Sequence, residues 1–131
     1  MINRLSAPAV SDERVARALS RDHTIDITTT GRKTRQPRRI ELVFHNIDGR
    51  VVLSGLPGKR SWYANLLARP RFVFHLKGAV KADLPATARA IVDPVERRAI
   101  MERVAQNWRR TDLDVMLARS PLVEVTFDQA A

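Results

Sequence analysis

Hydrophobic and polar positions alternate along much of the chain, and this period of two predicts β-strands. Thr24–Thr30 and the segment Arg71–Lys77 show the alternation most clearly, with β-branched or aromatic residues on one side. Asn46-Ile47-Asp48-Gly49 is a hairpin signal between two further strands, and Pro85 marks an edge or a bulge. The pattern predicts six strands, over residues 24–30, 39–47, 50–54, 71–77, 79–92 and 122–127.

Four other segments have the spacing or the end signals of helices. We expect them at residues 11–21, 61–68 and 94–110, with a short one starting after Thr111 or Asp112. Ser11 suits the start of the first, and Asp93 caps the third with Glu96 at its third helical position. In that third helix, apolar residues recur at four-residue intervals and should face the core: Ile100, Val104 and Trp108.

The order of elements is therefore α-β-β-β-α-β-β-α-α-β. Strands joined by hairpins, with few helices between them, favour an antiparallel sheet over parallel βαβ units. We expect a mostly β fold of the α+β class, a small open-ended barrel with helices packed on it. One domain over residues 1–131 is the interpretation, with an N-terminal helix in 1–22, the barrel core in 23–92, and C-terminal helices and the last strand in 93–131.

Composition narrows the classes of protein. The chain has 131 residues, of which 44% are hydrophobic, so it can build a core and is not a disordered tail. The absence of Cys excludes disulfides, thiolate metal sites and a cysteine nucleophile. No apolar run approaches the roughly 18 residues of a membrane span, and the first residues lack a secretory apolar segment. We expect a cytoplasmic protein.

Charge adds the first indication of a ligand. Lys and Arg number 23 against 14 Asp and Glu, which gives a formal net charge of +9. This excess indicates an anionic partner: a small polyanion, a nucleic acid or a lipid surface. With only 5% aromatic residues and no RNA-binding aromatic motif, nucleic acid is disfavoured as partner. Peripheral membrane association and a homodimer are left open.

The densest basic segment lies between two predicted strands. Residues 31–39 read GRKTRQPRR, with five cations and no acid. A loop of this kind brings backbone N–H groups together with guanidinium, ammonium and Thr hydroxyl groups, which is the chemistry that holds phosphate or several carboxylates. A solvated basic loop explains the charges equally well.

A second segment runs from a glycine-bearing loop into a predicted helix. Residues 54–65 read SGLPGKRSWYAN, and the start of such a helix favours an anion. Trp62 and Tyr63 could flank a planar ligand, although anchoring of the helix to the sheet is the more ordinary role. His23, His45 and His75 lack metal-ligand spacing, so we expect no metal and sheet-face packing for the last two.

Taken together, T-T-T-G-R-K-T-x-Q-P-R at residues 28–38, Ser54, and W-Y-x-N-L-x-A-x-P at residues 62–70 resemble a known family. They resemble the deazaflavin-dependent nitroreductases, which use coenzyme F420 on a split β-barrel related to the FMN-binding pyridoxamine-phosphate oxidases. The resemblance covers roughly residues 25–90. It implies a split antiparallel β-barrel of the FMN-binding type.

The resemblance also implies an activity and a set of site residues. The activity is transfer of a hydride between F420 and a small electrophilic acceptor, such as a quinone, an activated alkene or a nitro compound. The coenzyme is a planar deazaflavin with a phosphate and a tail of glutamates. The resemblance implies that the phosphate and tail are held by Arg32, Lys33, Thr34 and Arg38. It implies that Ser54 is the catalytic residue, beside the ring and the substrate. Trp62 and Asn65 would form a wall of the cofactor groove.

Three departures from the family pattern limit this inference. Arg35 stands where the family usually has Gly. Gly55 stands where the family usually has a Lys after the Ser. That Lys is a candidate contact of the coenzyme tail, and Lys59 or Arg60 could replace it. Tyr63 is the chain's one Tyr, whereas nitro-prodrug-activating members place several over the substrate. The alternatives are FMN in place of F420, a non-catalytic protein of this fold that binds FMN, haem or lipid, or a basic module that binds nucleic acid or a membrane surface.

Overall fold

Six strands in the described part of the chain form a closed antiparallel barrel. The computed structural model describes residues 12–21 and 23–128. Going around the ring, the strands follow the order β1-β2-β3-β6-β5-β4, and β4 pairs with β1. The strands are β1 (His23–Thr30), β2 (Pro37–Ile47), β3 (Arg50–Ser54), β4 (Arg71–Lys77), β5 (Lys81–Ala90) and β6 (Leu122–Phe127). This confirms the predicted antiparallel barrel with flanking helices.

Within residues 12–21 and 23–128, four helices flank the barrel. They are α1 (Glu13–Leu19), α2 (Ser61–Ala68), α3 (Pro94–Asn107) and α4 (Leu113–Arg119). Helix α1 starts at Asp12, whose carboxylate accepts from the Arg14 N–H, while the predicted cap Ser11 lies outside the described residues. No helix within the described residues is long and apolar enough to cross a membrane.

Two apolar clusters hold the fold together, one on each side of the barrel wall. Alternation along each strand sends one set of side chains inward, where Phe44 and Phe74 meet edge to face with ring centroids 5.5 Å apart. The opposite set packs under α3 and α4. There Met101, Val104 and Met116 are fully buried against Val52 and Leu122. Trp108 packs against this second cluster, as its helical spacing predicted.

Charges on the outer surface tie the last helices and strand to the barrel. Glu96 and Glu124 accept hydrogen bonds from Arg50 and Arg89, so two acids alternate with two guanidinium groups. The two guanidinium groups lower the pKa of Glu96 from 4.5 to about 2. The predicted cap of α3 is confirmed, because Asp93 accepts from the Glu96 N–H. Glu96 itself reaches the arginines instead of returning to the cap.

Several boundaries differ from the sequence prediction. Strand β2 begins at Pro37 because Thr29 and Thr30 of β1 pair with the residues before 39. Helix α3 ends at Asn107, and Arg109 adopts a left-handed φ of 55° that stops the helix. Asp112 stands at the start of α4 but makes no capping hydrogen bond, since its carboxylate pairs with Arg110. The helix therefore starts after Asp112, one of the two residues predicted there, but without a side-chain cap.

Candidate functional site

A tight turn between β1 and β2 forms one wall of a cavity. Residues 31–36 are closed by a hydrogen bond from the Gly31 N–H to the Gln36 carbonyl (2.8 Å), and the Arg35 N–H donates to the Gly31 carbonyl (2.9 Å). Thr34 stabilises the turn from inside, because its Oγ1 accepts from the Gln36 N–H. A Cβ on Gly31 would lie 2.6 Å from that Oγ1, so a larger residue would push the Thr34 hydroxyl out of its position in the turn.

Helix α2 supplies the opposite wall through Asn65. The Asn65 Oδ1 accepts from the Arg32 backbone N–H (3.0 Å) and from Arg32 Nη1 (3.1 Å), and its Nδ2 donates to Thr29 Oγ1 (3.1 Å). Asn65 is 4% exposed. One amide therefore locks α2, β1 and the turn to each other and fixes the start of the Arg32 side chain.

The cavity between these walls has a volume of about 420 Å³. Six of the eight residues predicted for the site line it: Arg32, Lys33, Thr34, Arg38, Trp62 and Asn65. Its remaining lining residues, not predicted for the site, are Thr29, Gly31, Ile40 and Ser61. We call this space the turn cavity.

The electrostatics of the turn cavity are one-sided. Within the described part of the chain, Arg32, Lys33 and Arg38 form no ion pair with a carboxylate, and no acid lines the cavity. This contrasts with Arg39, the next residue along β2, whose guanidinium is paired with Asp26 at 2.9 Å. The start of α2 adds to the positive field, since Ser61 and Trp62 line the cavity and no side chain caps that end. An anion is the natural occupant.

The other two predicted residues lie elsewhere. The Ser54 side chain is 2% exposed, donates to the Pro121 carbonyl (2.7 Å), and does not line the turn cavity. Lys59 lines a separate cavity of about 360 Å³ beside Tyr63 and Pro121. Arg60 donates to the carbonyls of Leu56 and Lys59 and so closes its own loop.

The histidines are packed in the barrel wall, as expected from strand alternation. His45 is 1% exposed and meets the Trp108 ring edge to face, with centroids 4.8 Å apart. His75 lies on the outer face, with Nδ1 2.7 Å from Asp83 Oδ1 and Nε2 2.7 Å from Thr28 Oγ1. Across residues 12–21 and 23–128, no group of three or more His, Asp or Glu side chains is arranged to hold a metal ion.

Thr29 is a cavity residue that sequence reasoning missed. It is the third inward position of β1 after Ile25 and Ile27, and it is 2% exposed. A hydroxyl at an inward position of a strand needs a partner inside the fold. The alternation of hydrophobic and polar positions along β1 already placed this hydroxyl on the inward side. It therefore indicated a polar contact at the end of the strand that reaches the cavity.

The chain is similar to known proteins both in sequence and in fold. The family model for F420H(2)-dependent quinone reductase matches residues 6–125. A conserved hypothetical protein, Rv2991 from Mycobacterium tuberculosis, superposes with a TM-score of 0.71 at 20% identity, covering 91% of this chain and 81% of that one.

Two further solved structures share the fold. An F420 reductase has a TM-score of 0.65 at 15% identity, with 86% of this chain and 91% of that one covered. A FAD-binding protein from Mesorhizobium loti has a TM-score of 0.62 at 14% identity, with 91% of each chain covered. At these identities the structural likeness establishes the split-barrel fold.

Proposed function

We propose a function from the premise that the chain belongs to the F420H(2)-dependent quinone reductase family. We propose that it is an oxidoreductase that binds coenzyme F420 in the turn cavity and reduces a small electrophilic acceptor, with a quinone as the favoured class. The observation that carries this proposal is the set of three cations on the cavity wall, Arg32, Lys33 and Arg38, which lack carboxylate partners among the described residues.

The donor set fits the anionic part of F420. Arg32 and Arg38 offer planar forks for phosphate or carboxylate oxygens, and Lys33 offers a point charge. Thr34 and the first N–H groups of α2 add neutral donors at the same cavity. No acid lines the cavity, so a bound phosphate or carboxylate does not compete with a side-chain carboxylate for these donors.

The rest of the cavity fits the flat part of the coenzyme. Trp62 and Ile40 supply apolar surface at the cavity, next to the cationic side. When bound, the reduced coenzyme supplies a hydride equivalent to the acceptor. The chain contributes binding and orientation: Asn65 fixes the turn, the cations hold the anionic end, and Trp62 limits the position of a ring.

Ser54 as the catalytic residue stays a prediction. Its hydroxyl hydrogen is donated to Pro121, so contact with ring or acceptor requires either the oxygen lone pairs or a break of that bond. Lys59 as a residue that contacts the coenzyme also stays a prediction; it lines the separate cavity beside Tyr63 and not the turn cavity. Cytoplasmic location and a homodimer also stay predictions, the second to be checked by light scattering on the purified protein.

A concave cavity favours a small ligand over the nucleic-acid or membrane-surface alternatives. Arg32, Lys33 and Arg38 line one concave cavity together with Trp62, whereas a surface that binds duplex spreads its cations to follow phosphates. A salt titration of duplex binding tests the alternative: tight binding at physiological salt by a protein that binds no deazaflavin would favour it.

The direct experiment is a fluorescence titration of the protein with F420. We expect binding by the wild type, and a loss of affinity of about 3–6 kcal/mol in the Arg32→Ala, Lys33→Ala double variant, at roughly 1.5–3 kcal/mol per charge-assisted bond. The matched control is Arg17→Ala with Lys81→Ala, which removes the same charge from exposed residues outside the turn cavity. Unchanged affinity in the first double variant, or FMN binding without F420 binding, would contradict the proposal.

A further inference from the structure

Arg35 occupies a backbone conformation that favours glycine. Its φ is 60°, in the left-handed region, and its N–H closes the turn on the Gly31 carbonyl. A side chain with a Cβ is disfavoured there, and Gly, Asn or Asp is the usual solution. A long cationic residue at this position therefore opposes the local backbone preference.

The charge of Arg35 is also unneutralised. Arg35 is exposed, and it pairs with no carboxylate of the described residues. Its neighbours Arg32, Lys33, Thr34 and Arg38 line the turn cavity, but Arg35 does not. The turn thus carries two cations that line the cavity, Arg32 and Lys33, and a further cation, Arg35, that does not; Arg38 adds a third lining cation from β2.

We infer that Arg35 is a specificity residue for the length of the anionic tail of the coenzyme. This inference rests on the proposed function. Each additional glutamate adds a carboxylate, and a tail too long for the cavity must leave it past its rim. An exposed cation of the turn that does not line the cavity then binds only the part of the tail that extends beyond the cavity cations. Short-tailed forms do not reach it.

The expected size of the effect follows from its exposure. An exposed ion pair is weak, so loss of the Arg35 charge should reduce affinity for a long-tailed form by about three- to fivefold at low ionic strength. Salt should shrink the difference, because exposed charges are screened. Affinity for the form without glutamates should not change.

Arg109 provides a matched control within the same chain. It too is an exposed arginine with a left-handed φ, 55°, and it forms no ion pair within residues 12–21 and 23–128. It does not line the turn cavity. Arg109→Gly therefore removes the same charge and the same backbone constraint at another place.

The experiment measures dissociation constants by fluorescence titration for the wild type, Arg35→Gly, Arg35→Lys and Arg109→Gly. The probes are F420 without glutamates and F420 with a long glutamate tail. We expect Arg35→Gly alone to lose the three- to fivefold preference for the long tail, Arg35→Lys to keep it, and thermal unfolding of Arg35→Gly to show no loss of stability. Arg35→Asn repeats the test with a residue that tolerates this φ, should glycine loosen the turn.

The possible failures are distinguishable. Equal behaviour of Arg35→Gly and Arg109→Gly would overturn the role of Arg35 while leaving F420 binding intact. An equal loss for the probe without glutamates would also overturn it, because Arg35 would then act on the turn or the phosphate. Absence of F420 binding by the wild type would overturn the proposed function itself.

Discussion

Replacement of Asn65 by Asp tests whether the turn cavity binds an anion. The side chain keeps its shape and still accepts hydrogen bonds from the Arg32 N–H and the Arg32 guanidinium. In the variant the acceptor of both bonds is a carboxylate oxygen. The second carboxylate oxygen replaces the amide nitrogen and accepts from the Thr29 hydroxyl, which reverses the present donation. All three hydrogen bonds survive, so we expect the free energy of unfolding to change by no more than about 1.5 kcal/mol.

The effect on ligand binding should be much larger. A carboxylate at residue 65 neutralises Arg32 from within and adds a negative charge to the cavity lining. Loss of one charge-assisted bond to the ligand is worth roughly 1.5–3 kcal/mol, or about a 10- to 150-fold weaker dissociation constant. The assay pairs a fluorescence titration with F420 and a urea unfolding curve for the same preparation.

Asn65→Leu is the contrasting variant. It leaves the Arg32 N–H and the Thr29 hydroxyl without their partner in a largely buried place. Unsatisfied groups of this kind cost about 1–3 kcal/mol each, so this variant should lose stability as well as affinity. Near-wild-type F420 affinity in a folded Asn65→Asp protein would refute the anion-binding interpretation of the cavity. Unchanged stability of Asn65→Leu would refute the structural role of the amide.

Three further changes test other parts of the structure. Ser54→Ala removes the donor to the Pro121 carbonyl and should lower the urea unfolding free energy by about 1–3 kcal/mol; wild-type turnover at saturating F420 would show that Ser54 is not catalytic. Arg97→Met removes donors to three carbonyls at the end of α4 and to the Ile91 carbonyl after β5, and should cost about 2–4 kcal/mol, so an unchanged melting temperature would contradict that role. The pKa of Glu96 is lowered from 4.5 to about 2, so its stabilising contribution is present above pH 4.5 and is lost as pH falls towards 2. Glu96→Gln should flatten the fall of stability with pH over that window, and acid unfolding curves identical to wild type would argue against it.

Local patterns in the sequence predicted most of the elements. The bounds of α2, β4 and β6 agree with the prediction, because each has a clear alternation or a proline or serine at its end. Strand β5 is shorter than predicted, since residues 78–80 form the turn from β4 and pairing ends at Ala90. The ends of a strand depend on where its partner strand stops pairing with it. The local pattern of hydrophobic and polar residues does not predict the register of that pairing.

The hydrogen-bond partners of polar side chains that lie far apart in the chain could not be predicted from the sequence. The motif at residues 62–70 drew attention to Asn65 through a family resemblance, but its contact with Arg32, 33 residues earlier, depends on how α2 packs across the barrel end. The hydrogen bond from Ser54 to Pro121 spans 67 residues and arises only because β6 pairs with β3. Chemistry of a residue can be inferred from its type, whereas its availability depends on neighbours that the fold brings together.

The position of β6 has a consequence for how the molecule is made. This strand is the last described one in the chain, yet it fills the gap between β3 and β5. Until residue 127 has left the ribosome, both of those strands present unpaired backbone edges, and such edges invite pairing with other chains. Loss of β6 by truncation would leave both edges open permanently, so a C-terminally shortened product should aggregate rather than persist as a smaller barrel.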